Sequence, residues 1–283
     1  MDAAAVAETT HFGENPALSI LENSGVARSS YREAAGGGQA APTLSGRIAQ
    51  WFDDRPQMPY LIPFFAYVAL MAPGGMFGHA FGLDWEALWK QYHPLIYAME
   101  NLLAAFFLWA FWNHYTRIRW THLPLGVIVG LFGTLLWIGI EYFDQHIGFS
   151  KVPDPATFYN PDVMLPVAWH RWAYLAIRVA FPSLVVPFME ELFFRDFLMR
   201  ALVRGARFQD VPVGTFTWFS FIGMALAFGV NHAAQWPEGI AYGLLMGALL
   251  VRTKSLGACI VAHGVTNCTL YLYVIYSGDW QFM

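Results

Sequence analysis

Apolar runs of about 20 residues, the length an α-helix needs to cross the hydrocarbon core of a bilayer, recur along most of this chain. A soluble core built from 283 residues has no use for such runs. Composition agrees: 57% of the residues are apolar, 17% aromatic and only 13% charged, against roughly a quarter charged in an ordinary soluble domain. The fold class expected is therefore all-α, a polytopic transmembrane helical bundle of about seven to eight membrane helices. The net charge of −4 says little in such a chain and gives no sign of nucleic-acid binding. Cys259 and Cys268 both fall in the last apolar run, without a Cys-x-x-Cys pair or zinc-type spacing, and read as small core residues.

Hydropathy marks seven candidate helices, at 60–79, 94–112, 123–141, 171–203, 214–232, 238–251 and 256–276. The fourth contains Pro182 and Pro187, which divide it into an interfacial piece and a spanning helix from about Pro182 to Leu202. Three regions follow: a flexible tail over 1–58, N-terminal transmembrane helices over 59–168, and a second transmembrane set over 169–283. The tail is rich in Ala, Gly, Ser and Pro, as in Ala34 to Pro42, and has no apolar core of signal-peptide type, so no cleavage is expected.

Basic residues order the spans, because cytoplasmic loops are enriched in Lys and Arg. A cytoplasmic N-terminus puts Arg47, Arg55, Arg117, Arg119, Arg200, Arg204, Arg207, Arg252 and Lys254 on the inner side. Lys90, Lys151, Arg171 and Arg178 remain outside, which predicts an odd number of spans and an external loop from Tyr142 to Ala168. Glycines four residues apart, Gly126 with Gly130 and Gly239 with Gly243 and Gly247, mark helices that approach closely in lipid.

A charged side chain at membrane depth is expensive and faces the bundle interior or a wet cavity. Glu190, Glu191 and Arg195 lie together on the fourth apolar run. Glu191 and Arg195 are four apart and can pair along one helix face, while Glu190 points about 100° away and is left free for other work. The next run ends Phe228-Gly229-Val230-Asn231-His232, with the ring one turn before the imidazole. In the last run, His263 and Asn267 share a face and can both donate to one oxygen, as a developing oxyanion requires. Each cluster alone reads equally as structural: an ion-pair network, an interfacial His, or polar glue between helices.

Taken together and in order, Glu-Glu-x-x-x-Arg, Phe-x-x-x-His and His-x-x-x-Asn resemble the signature of the CAAX-protease and bacteriocin-processing family of intramembrane glutamic endopeptidases, over about residues 170–275. The resemblance implies that Glu190 activates a water with help from His232, while His263 and Asn267 stabilise the tetrahedral oxyanion. It further implies that Glu191 and Arg195 hold the helix and orient Glu190, with Phe228 packed beside His232. No cofactor and no metal are implied. The stretch from Pro59-Tyr60-Leu61-Ile62-Pro63-Phe64 through Tyr97 to Trp112–Arg119 is similar to CAAX-protease-related proteins of exosortase sorting systems. That likeness implies a bacterial inner membrane and exosortase-system proteins as partners, beside the lipid bilayer and a membrane-associated peptide or protein substrate.

Two other readings stay open at this point. A zinc metalloprotease would use Glu190, His232 and His263 as ligands, although no His-Glu-x-x-His occurs. A non-catalytic scaffold or immunity-type protein would keep the same polar cluster for packing. Hydropathy also leaves His232 near the outer end of its helix and His263 nearer the inner half, so a shared site needs a tilted or re-entrant fifth helix.

Overall fold

The computed structural model describes residues 43–71, 84–152, 154 and 158–282. The chain divides into two units, Met1–Trp51 and Phe52–Met283. Of the first, residues 43–51 are described, and they open helix α1 (Leu44–Asp53). The rest of the expected tail up to residue 42 lies outside the described residues, as does the end of the first candidate span, 72–79.

The second unit is built of helices, and no strand occurs among the described residues. In chain order they are α2 (Met58–Met71), α3 (Trp85–Ala110), α4 (Leu123–His146), α5 (Ala168–Leu184), a composite α6, then α7 (Trp218–Asn231), α8 (Trp236–Thr253) and α9 (Leu256–Ser277). By length and composition, Leu123–His146, Ala168–Asp210 and Leu256–Ser277 can cross a membrane; Met58–Ala69 and Trp218–Asn231 are shorter apolar helices. A membrane-type helical bundle thus forms, with three helices among the described residues long and apolar enough to cross a membrane. Lipid-facing surface is apolar, as on α4 with Ile128, Leu131, Phe132 and Leu135 exposed.

Small residues set the core distances. A Cβ added at Gly126 would meet the Ala258 carbonyl oxygen at 2.6 Å, and one at Gly130 the Ala262 carbonyl oxygen at 2.5 Å. Helices α4 and α9 therefore touch backbone to backbone, the close approach that drives association without a hydrophobic effect. Thr266 fixes this contact by donating to the Gly130 carbonyl at 2.9 Å while Tyr242 of α8 donates to Thr266 at 3.0 Å. Likewise Gly239 and Gly243 of α8 lie against Gly229 and Ala225 of α7.

Helix α6 is the irregular element. It starts as Val186–Glu190, continues as a π-helix over Glu191–Leu198 and ends as Met199–Arg204. The break from α5 falls at Val185 rather than at Pro182, which stays inside α5. The physical reason is Pro187, which has no N–H to return to the turn before it, so regular pairing fails just ahead of it. A spanning helix beginning at Pro182 is therefore replaced by two helices meeting at a kink three residues later.

Two arginines of the fourth run that charge counting set on opposite sides of the membrane are buried. Arg200 pairs with Asp196 and donates through Nε to the Val211 carbonyl at 2.6 Å. Tyr60 of α2 donates to the same Asp196 at 3.0 Å. Arg178 of α5 is buried too.

Candidate active site

Glu190 sits at the last α-helical position of α6 before the π segment. A π turn carries an extra residue and changes which faces its side chains present, a device frequent at functional sites. Here it keeps Glu191 and Arg195 within ion-pair reach at 3.1 Å, both side chains fully buried. Glu191 Oε1 also accepts from His263 Nδ1 at 2.8 Å. Beneath them Arg195 lies 4.4 Å from the centre of the Phe228 ring, so the cation has an aromatic floor as well as an anion.

Since Glu191 accepts at Nδ1, that nitrogen carries the hydrogen, and a neutral His263 presents a lone pair at Nε2. The sequence reading expected a donor there. His263 Nε2 faces Glu190 Oε2 across 3.8 Å, beyond direct hydrogen-bond distance. Glu190 Oε2 is buried and has no hydrogen-bond partner among the described residues. Oε1 of the same carboxylate is 3.5 Å from Asn231 Nδ2.

His232 follows directly after α7 and donates from Nδ1 to the Phe228 carbonyl at 3.0 Å. Its ring lies 4.5 Å from that of Phe228 and 5.2 Å from Trp137, so the expected packing of Phe228 beside His232 is present. The depth problem has a simple resolution. With 14 residues, α7 rises only about 21 Å, short of the ~30 Å hydrocarbon thickness, and its end stops inside the bundle where His263 is found.

Asn267 Nδ2 donates to the Pro182 carbonyl at 2.8 Å. That oxygen belongs to the last turn before the kink, so Asn267 ties α9 to α5 with one N–H and keeps its second for the cavity. Gly264 makes the approach feasible, because a Cβ there would sit 2.6 Å from the Ser183 carbonyl oxygen.

A cavity of about 630 Å³ joins these groups. Glu190, His232, His263 and Asn267 line it, while Glu191 and Arg195 stand behind. Six of its wall residues come from the first half of the chain: Tyr67, Val68, His93, Tyr97, Glu100 and Trp137. Asn231, the residue beside Glu190, was overlooked in the sequence because the imidazole after it drew the attention. An amide at the end of an apolar helix was the available signal.

The matched region can now be set on this geometry. Residues 172–269 match the family model described as type II CAAX prenyl endopeptidase Rce1-like. This stretch, about a third of the chain, is similar to the CAAX-protease family. It runs from α5 into α9 and contains all six of Glu190, Glu191, Arg195, His232, His263 and Asn267. No curated protein and no solved structure matches the chain. The match to this family and the apolar helices both support a membrane protease. Among the described residues, no group of three or more His, Cys, Asp and Glu side chains is set to hold a metal ion.

Proposed function

We propose that the chain is an intramembrane glutamic endopeptidase that cuts a peptide bond of a membrane-associated protein or peptide with a water activated by Glu190. The observation that carries the reading is the free Glu190 Oε2, 3.8 Å from His263 Nε2, inside a cavity of about 630 Å³. A water held between these two acceptors gives one proton to the carboxylate as its oxygen attacks the carbonyl carbon. The oxyanion that forms takes the second N–H of Asn267, a donor already fixed in a poorly hydrated site. Collapse breaks the C–N bond, and the proton on Glu190 passes to the leaving amine. His263 becomes a donor only once it has taken a proton, and Glu191 stabilises that cation at Nδ1. His232, held by the Phe228 carbonyl, likewise offers Nε2 to the cavity and can share the proton.

Glu191 and Arg195 act in this scheme by position, fixing the tautomer and tilt of His263. A bacterial inner membrane, a cytoplasmic N-terminus and a place in an exosortase-type sorting system belong to the same proposal. Loop charge and the pattern of the N-terminal half support them. The test compares membrane proteomes of cells carrying the normal protein or Glu190→Gln. A precursor that accumulates only with the variant is the expected result; identical proteomes favour the non-catalytic scaffold.

A further inference from the structure

The two ends of the helical bundle differ in charge. Loops 111–122, 205–217 and 253–255 share one end: Ser255 Oγ donates to the Arg119 carbonyl at 2.8 Å, and Lys254 Nζ donates to the Gly214 carbonyl. That end carries Arg117, Arg119, Arg204, Arg207, Arg252 and Lys254, all exposed. The opposite end, where Gln145 of α4 donates to Gln281 at 2.8 Å, carries fewer cations: Lys90, Lys151 and Arg171, the last 3.5 Å from Asp162. An excess of lysine and arginine marks the cytoplasmic side of a membrane protein.

The cavity that holds Glu190 reaches the other end. Tyr159, Ala233, Gln235 and Phe282, from segments that join or follow the helices there, line it together with His232. Ala233 is the one wall residue, among those described, that is exposed. On α9 the wall begins at His263, about 10 Å of helix past Leu256, and continues to Tyr271. Among the described residues, the basic-end loops contribute nothing to this wall; they line a separate cavity of about 350 Å³ with Thr116, Arg117 and Lys254. Between the site and the basic end lie Phe194 and Met199 on α6, Met246 and Leu250 on α8, and Cys259 on α9, each at most 1% exposed. A layer packed to that density has no path for water.

We propose that water and substrate reach Glu190 from the non-cytoplasmic side, so that the bond cut belongs to a translocated segment of a membrane-associated protein and not to a cytoplasmic tail. This rests on Glu190 marking the place of cleavage and on the cytoplasmic N-terminus of the same reading. A cytoplasmic segment would have to pass the packed layer, whereas a segment on the far side meets the mouth at Ala233 and then His232, Asn231 and the free Oε2 of Glu190. The same mouth supplies the water that hydrolysis consumes.

Thiol modification decides the side without relying on turnover. Full-length protein carrying Cys268→Ala, which leaves only the buried Cys259, receives Ala233→Cys at the mouth, Leu270→Cys in the cavity wall or Arg252→Cys at the basic end. Intact spheroplasts and lysed membranes are treated with a small, permanently charged methanethiosulfonate, and thiols that escape are counted by a maleimide gel shift after denaturation. Ala233→Cys and Leu270→Cys should react as fully in spheroplasts as after lysis, Arg252→Cys only after lysis, and Cys259 in neither. Reaction of Ala233→Cys on the same side as Arg252→Cys overturns the proposal, even if Leu270→Cys does not fold. Protection of a folded Leu270→Cys from both sides, or modification of Cys259, overturns it as well. A pattern reversed as a whole removes the orientation and with it the translocated substrate, and leaves hydrolysis at Glu190 standing; the expected pattern in a protein that cleaves nothing does the reverse. The precursor that accumulates with Glu190→Gln should be cut on the non-cytoplasmic side of its own span, and a cut in a cytoplasmic tail contradicts the proposal.

Discussion

Replacing Arg195 with Met tests whether the fully buried Glu191–Arg195 pair supports the site by charge balance. Removing one member of a buried pair strands the other, at about 3–5 kcal/mol. Here Met also removes the cation from above the Phe228 ring, which adds up to ~2 kcal/mol. Against a total stability of about 5–15 kcal/mol, the single variant should lose much of its folded population. Glu191→Gln strands the arginine instead and should cost a similar amount. The amide oxygen of that Gln can still accept from His263 Nδ1, so the imidazole keeps a partner. In Glu191→Gln/Arg195→Met no charge is stranded, and stability should return to within about 2 kcal/mol of the starting protein. The coupling energy is then on the order of 3 kcal/mol or more. Reversible unfolding in mixed micelles, followed by tryptophan fluorescence, measures all four proteins. If the two single losses simply add within about 0.5 kcal/mol, the pair is not coupled and the argument from buried charge fails.

Three further outcomes follow from the same geometry. Gly264→Ala puts a methyl carbon 2.6 Å from the Ser183 carbonyl oxygen; it should cost about 1–3 kcal/mol and reduce cleavage by displacing Asn267, whereas unchanged stability would mean α9 does not rest on the kink. Asn231→Ala removes the amide beside Glu190 Oε1, and cleavage of the accumulated precursor should fall roughly tenfold, the effect of ~1.4 kcal/mol on a barrier, with the unfolding midpoint unchanged. Exhaustive chelation should leave the cleavage rate as it was, and a rate restored only by zinc would favour the metalloprotease reading.

How far this was legible in one dimension depended on the kind of interaction. Glu191 and Arg195 were readable as a pair because four-residue spacing survives in both α and π geometry. The π segment itself was not, since hydropathy follows which residues are apolar and is blind to which carbonyl each N–H selects. The partnership of His263 with Glu191 was equally hidden: it spans 72 residues and arises only when α9 packs on α6. Asn267 was placed on the right face, but its use of the Pro182 carbonyl depends on a kink that moved to Val185. The burial of Arg178 and Arg200 was hidden, because a buried arginine adds to a count of charge on one side of the membrane just as an exposed one does. The contribution of Tyr97 and Trp137 to the cavity wall had no sequence signal beyond aromatic residues on apolar helices, a pattern shared with any lipid-facing surface.

Purified protein in lipid vesicles, given the precursor that accumulates in cells, provides the most direct reading of the whole account. Substituting the carboxylate at Glu190 by the isosteric amide should slow cleavage by about 10²–10⁴-fold while the unfolding midpoint stays where it was. A Glu190→Gln protein that cuts at the normal rate would show that the water is activated elsewhere.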